Sequence, residues 1–187
     1  LNPPSIEIPV SAISPPVVVK STPTPKAAPP ATVIPTSQMK QYVNDKEGFK
    51  ILVPVNFSND NSSPCESICF VNKKYDREKS YIYPAHLEID SVGPTKMDLN
   101  AAANGVIKLL PTLLPNFKLI GSKNVVLKND LKAIIISGTL YDDGIKTRLD
   151  ELVVIKGSKL YYFTAGALDS TWNNYKDLFE TSLLSFE

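Results

Sequence analysis

The sequence carries one histidine, one tryptophan, two cysteines and two methionines in 187 residues, and its charge is nearly balanced, with twenty Lys plus Arg against nineteen Asp plus Glu. Each shortage closes off a class of chemistry. His86 is the sole histidine, so a Ser-His-Asp or Cys-His relay would have to pass through it. No GxSxG elbow, phosphate-binding glycine loop or HExxH pattern accompanies it. The expected protein is therefore not an enzyme. A formal net charge of +1 supplies no dedicated surface for nucleic acid, which is not expected as a partner. No apolar run approaches the roughly 20 residues that a membrane-spanning helix needs.

Residues 1–40 are the poorest stretch. They contain no glycine and no aromatic residue, only four charged residues (Glu7, Lys20, Lys26 and Lys40), and ten of the sixteen prolines. Such a composition cannot build a core. It favours extended, polyproline-like conformations and reads as a semi-rigid spacer reaching on the order of 100 Å. Pro23-Thr24-Pro25 and Pro29-Pro30 lack the flanking arginines of a ligand for a polyproline-binding domain. A spacer makes most sense between an anchor and a domain held away from it. The sequence begins at Leu1 rather than Met, which fits a removed signal or lipid-anchor segment and fits equally a sequence cut at that point.

Residues 41–187 are expected to form one domain, large enough to bury roughly 70% of its unfolded surface and to fold without metal or disulfide. Its first stretch, YVNDKEGFKILVPVNF at 42–57, places Gly48 between two extended pieces. Phe49, Ile51 and Val53 alternate with Lys50 and Leu52 until Pro54 ends the strand. Cys65 and Cys69 follow, four apart, and cannot fill a tetrahedral zinc site alone. Outside the cytoplasm they are expected to close a small disulfide loop, and inside it to stay reduced.

Alternation resumes over residues 81–92, and Pro84, lacking an amide donor, points to an edge strand or a bulge. His86, Glu88 and Asp90 fall on one face, with about 6.6 Å between alternate Cα atoms. One imidazole and two carboxylates make a weak candidate site for Zn²⁺, Mn²⁺ or Ca²⁺, against the plainer reading of a solvated strand face. Thr95 then reads as a helix N-cap with Asp98 as its capping-box partner. Leu99, Ala102, Val106, Leu109 and Leu113 continue at helical spacing, and Pro111 is expected to end or kink that helix.

Strand patterns follow at 117–127, 133–141 and 145–155, separated by Asn129-Asp130 and Asp142-Asp143-Gly144. The adjacent acids Asp142-Asp143 and Asp150-Glu151 read as solvated. After the tight turn at Gly157 comes a further strand, LYYF at 160–163. Trp172, Tyr175, Leu178, Phe179 and Leu183 then draw one apolar stripe along a closing helix, with Asp169 or Ser170 as its cap. The strands are apolar on both faces, so both need a cover. The fold class expected is α+β, an antiparallel sheet with helices on both faces.

Two stretches together, YVNDKEGFKILVP at 42–54 and VVIKGSKLYYFTAGALDSTWNNYKDLFETSLLSF at 153–186, resemble the PsbP family. These are the extrinsic proteins on the lumenal side of photosystem II, and their broader relatives include DcrB-like lipoproteins. Tyr42, Gly48, Phe49 and Pro54 match the first pattern of that family. Gly157, Lys159, Leu160, Tyr161, Trp172, Ser185 and Phe186 match the last, while Phe57 stands where a tryptophan commonly follows the first strand's proline. The resemblance implies an α/β/α sandwich and an extracytoplasmic scaffold, and a monomer is expected. Such a scaffold works by docking to a membrane-associated protein complex, either as a photosystem II accessory protein or as an envelope lipoprotein. A single histidine does not place a histidine-based metal site of the kind described for some relatives.

Overall fold

The computed structural model describes residues 38–59, 68–72, 85–114, 116–142 and 144–187. Residues 1–37 of the proline-rich segment, Cys65 and Pro84 lie outside the described residues, and the expected Cys65–Cys69 pairing lies outside them too.

Three long strands form the centre: β7 (Lys132–Asp142), β8 (Ile145–Lys156) and β9 (Lys159–Leu168). Their apolar runs serve two faces, with Ile135, Leu152 and Phe163 in one core and Ile134, Ile136 and Val153 in the other. Gly157, at φ 64°, opens the two-residue turn between β8 and β9, where Lys156 pairs with Lys159. β6 (Lys118–Val126) pairs with β7 and forms one edge. On the other side β9 pairs with β5 (His86–Val92), then come β4 (Ile68–Val71) and the short β3 (Ser58–Asn59). Every pairing is antiparallel. β5 is thus an interior strand rather than an edge. Its ladder begins at His86.

α2 (Trp172–Leu184) and a separate hairpin of β1 (Met39–Asn44) and β2 (Phe49–Pro54) cover one face of the sheet. β1 starts two residues inside the segment that composition assigns to the spacer. Trp172, Tyr175, Phe179 and Leu183 are buried as their spacing predicts. The residues that carry the family resemblance meet here. Phe49 stacks on Phe186 at 5.8 Å and meets Tyr161 edge-on at 6.0 Å, and Tyr42 closes on Phe49 at 6.2 Å. Tyr161 Oη donates to the Glu47 carbonyl at 2.6 Å, and Lys159 Nζ donates to Glu47 Oε2 at 2.6 Å. Lys50 and Glu187 exchange both backbone hydrogen bonds, while the Leu52 amide donates to Ser185 Oγ. Burial of each phenylalanine contributes about 1.5–3 kcal/mol, so this face carries much of the domain's stability.

α1 (Leu99–Leu113) covers the other face, packing over β7 and β8. Its N-cap is Asp98, whose Oδ1 accepts from the Ala101 amide at 2.8 Å, whereas Thr95 Oγ1 accepts from Met97 and stays outside the helix. Asp98, which directly precedes the first helical residue, takes the cap that spacing assigns to Thr95. The helix runs through Pro111 and stops at Leu113, within a turn of it. At α2 the N-cap is Thr171, without a side-chain capping bond, since its Oγ1 donates back to Leu168 O. Asp169 serves instead as an acceptor for Lys146 at 3.0 Å.

Candidate functional site

Because α1 lies over β7 and β8, the same face of β9 and β5 is left partly uncovered. The gap is a cavity of about 760 Å³, within the range of small-molecule sites. Cross-strand pairing builds its floor in three rows, each sharing one side of the sheet. Leu149 pairs with Gly166 and Gly166 with His86; Glu151 pairs with Thr164 and Thr164 with Glu88; Val153 pairs with Tyr162 and Tyr162 with Asp90. A Cβ at Gly166 in the first row would come within 2.6 Å of His86 Cε1, so a larger residue there would displace the imidazole. The imidazole therefore lies across bare backbone of β9.

The roof is apolar and comes from α1: Ala102, Gly105, Val106, Leu109, Leu110 and Leu113. A Cβ on Gly105 would meet nothing within 4 Å. Val92, Met97, Leu109 and Leu113 line the cavity and are each half exposed or more.

Among the described residues the floor is acidic. Glu88, Asp90 and Glu151 line it, and no described lining residue is a lysine or arginine. Glu151 is 8% exposed. Burial pushes its pKa up to about 7, and the neighbouring Glu88 and Asp90 carboxylates push in the same direction. Burial, and then Glu151, raise the Tyr162 phenol above its usual range. Thr147, 1% exposed, also lines the cavity, and its Oγ1 has no hydrogen-bond partner.

Sequence spacing placed His86, Glu88 and Asp90 on one strand face, and the structure puts all three in this cavity. The metal geometry does not follow. Among the described residues no three His, Cys, Asp or Glu side chains are gathered to hold a metal ion. Cys69, paired with Glu88, is buried on β4. Spacing missed Glu151, Thr147, Tyr162 and Thr164, which come from β8 and β9. The available signal was Glu151 itself, a carboxylate inside the run LDELVVI of a strand apolar on both faces.

An antiparallel sheet with this strand order, one helix on each face and an N-terminal hairpin packed beside the terminal helix is a PsbP-like α+β fold. Solved structures that share it include cyanobacterial PsbP (CyanoP) from Synechocystis sp. PCC 6803, 17% identical, covering 88% of this chain and 99% of that one with a TM-score of 0.58. LpqN from Mycobacterium tuberculosis, described as involved in cell envelope biogenesis, is 15% identical over 79% of this chain and 90% of its own, with a TM-score of 0.59. The Saccharomyces cerevisiae Ran-binding protein Mog1p is 12% identical over 80% and 94%, with a TM-score of 0.56. The likeness is one of fold, and it spans proteins with different described roles. No family model matches the sequence, and no curated protein matches it.

Proposed function

We propose that this chain is a non-catalytic, extracytoplasmic PsbP-like domain, tethered by its proline-rich segment, that docks to a membrane-associated protein assembly. The observation that carries the reading is the fold shared with CyanoP and LpqN on a chain whose proline-rich N-terminal segment reads as a spacer. The sole histidine and the missing catalytic motifs support a binding rather than an enzymatic role. Edge strand β6 offers a docking surface, with Leu119, Ile120 and Val126 exposed beside its unpaired edge. In a photosynthetic source the partner is photosystem II; elsewhere it is an envelope complex. An oxidising compartment also predicts a Cys65–Cys69 disulfide, read by thiol labelling with and without reductant.

Chemical cross-linking in the native cells, followed by mass spectrometry, tests the docking. Cross-links to photosystem II core subunits select the first setting, and cross-links to transporters or wall components select the second. Ile120→Glu is expected to weaken either set. Recovery of no membrane-associated protein would sink the proposal.

A further inference from the structure

The cavity under α1 has features that docking through β6 does not require. Its floor sets three carboxylates together with no described basic residue lining it, and one of them, Glu151, is buried. Thr147 Oγ1 is buried on the same floor without a partner, an unusual state for a polar atom. Gly105 sits mid-helix facing open space, although almost any other residue favours a helix more. Large apolar side chains, Leu109 and Leu113 among them, stay exposed at the opening. A polar, negative floor under an apolar roof suits a ligand with the same division.

We propose that this cavity binds an amphipathic cation, an ammonium group carrying a hydrocarbon chain. The ammonium lies against the carboxylates of Glu151 and Asp90, and the chain runs along Val106, Leu109 and Leu113 in the space above Gly105. Thr147 Oγ1 offers a second polar position further along β8 for a hydroxyl or amide on the same ligand. Attraction to the floor selects the sign of the head group, and burial of methylenes sets the affinity.

The test uses octylammonium as probe, with octyl sulfate and octyl glucoside as comparators, by titration calorimetry near neutral pH and below micellar concentrations. Saturable one-to-one binding of octylammonium is expected, at least about tenfold tighter than either comparator and tightening about fourfold per added methylene. The double variant Asp90→Asn, Glu151→Gln should lose at least about tenfold. Gly105→Leu should abolish binding by filling the space, while its melting temperature stays level or rises. Absence of saturable octylammonium binding, equal affinity for the three head groups, or full binding by Gly105→Leu would each overturn the proposal. Cross-linking to a membrane assembly is a separate measurement, so this site and the docking role can fail independently.

Discussion

The two faces of the sheet are built to different ends. Under α2 and the β1–β2 hairpin, Phe49, Phe57, Tyr161, Phe163, Phe179 and Phe186 form a continuous aromatic core, each at most 3% exposed. Under α1, the half over β7 and β8 is closed by aliphatic residues, and the half over β9 and β5 is an open cavity with a carboxylate floor. The residues that carry the family resemblance mostly lie on the filled face or in the turns and clamps that hold it. The residues with unusual chemistry lie on the open one. The likeness to proteins of different described roles is one of fold, and it does not extend to a shared site.

Truncation of the filled face sharpens this contrast most. Phe179→Ala is expected to cost about 3–5 kcal/mol, read as a lowered urea midpoint, and an equal loss from Val106→Ala on the α1 face would break the comparison. Next comes Glu151→Gln. An acid whose folded pKa lies above its unfolded one holds its proton longer in the native state. Its contribution is therefore fully present below the ordinary value of 4.5 and is lost as pH rises through about 7. The cavity groups facing it are His86, Glu88 and Asp90 from β5 and Tyr162 from β9. At about pH 8 the variant should be more stable than the parent by about 3 kcal/mol, with a flatter pH profile between those limits. A parallel pH profile in the two proteins would place Glu151 in water.

Smaller effects probe the clamps and the open space. Tyr161→Phe removes the hydrogen bond to the Glu47 carbonyl and should cost about 1 kcal/mol in chemical denaturation. Gly105→Ala should stabilise by about 0.5–1 kcal/mol in the same assay, since helix propensity rises and the new methyl meets nothing. A destabilised Gly105→Ala would mean that α1 sits closer to the floor than the cavity implies.

The terminal hairpin and helix were legible in the sequence because their signals are local: Gly157 at a positive φ, apolar runs either side of it, and a stripe at three- and four-residue steps. Layering followed from strands apolar on both faces. Caps were less legible. Thr95 and Asp98 both satisfy a capping pattern, and which amide is in reach depends on where the helix axis begins. Pro84 suggested an edge because sequence does not show that the ladder starts two residues later. The cavity was half legible, as alternation grouped His86, Glu88 and Asp90 on one strand. Adjacency to Asp150 suggests a solvated pair, but neighbours on a strand face opposite ways. Glu151 takes the cavity side, and Asp150, its pKa also raised by burial and partly offset by Ser137, takes the other. Only the pairing of β9 with both β8 and β5 brings the acids together.

That pairing also orders events in time. β6, β7, β8 and β9 form a meander of successive antiparallel neighbours, whereas β5 reaches the sheet only through β9, with His86 paired to Gly166 across most of the intervening chain. Closing that long loop is entropically slow compared with forming the local hairpins. The amides of Leu87 and Ile89 should therefore gain protection in pulsed hydrogen exchange later than those of Ile135 and Val153, and simultaneous protection would contradict this. On this view the acidic floor is completed last. A ligand bridging Asp90 and Glu151 would then slow unfolding and leave the refolding rate nearly unchanged.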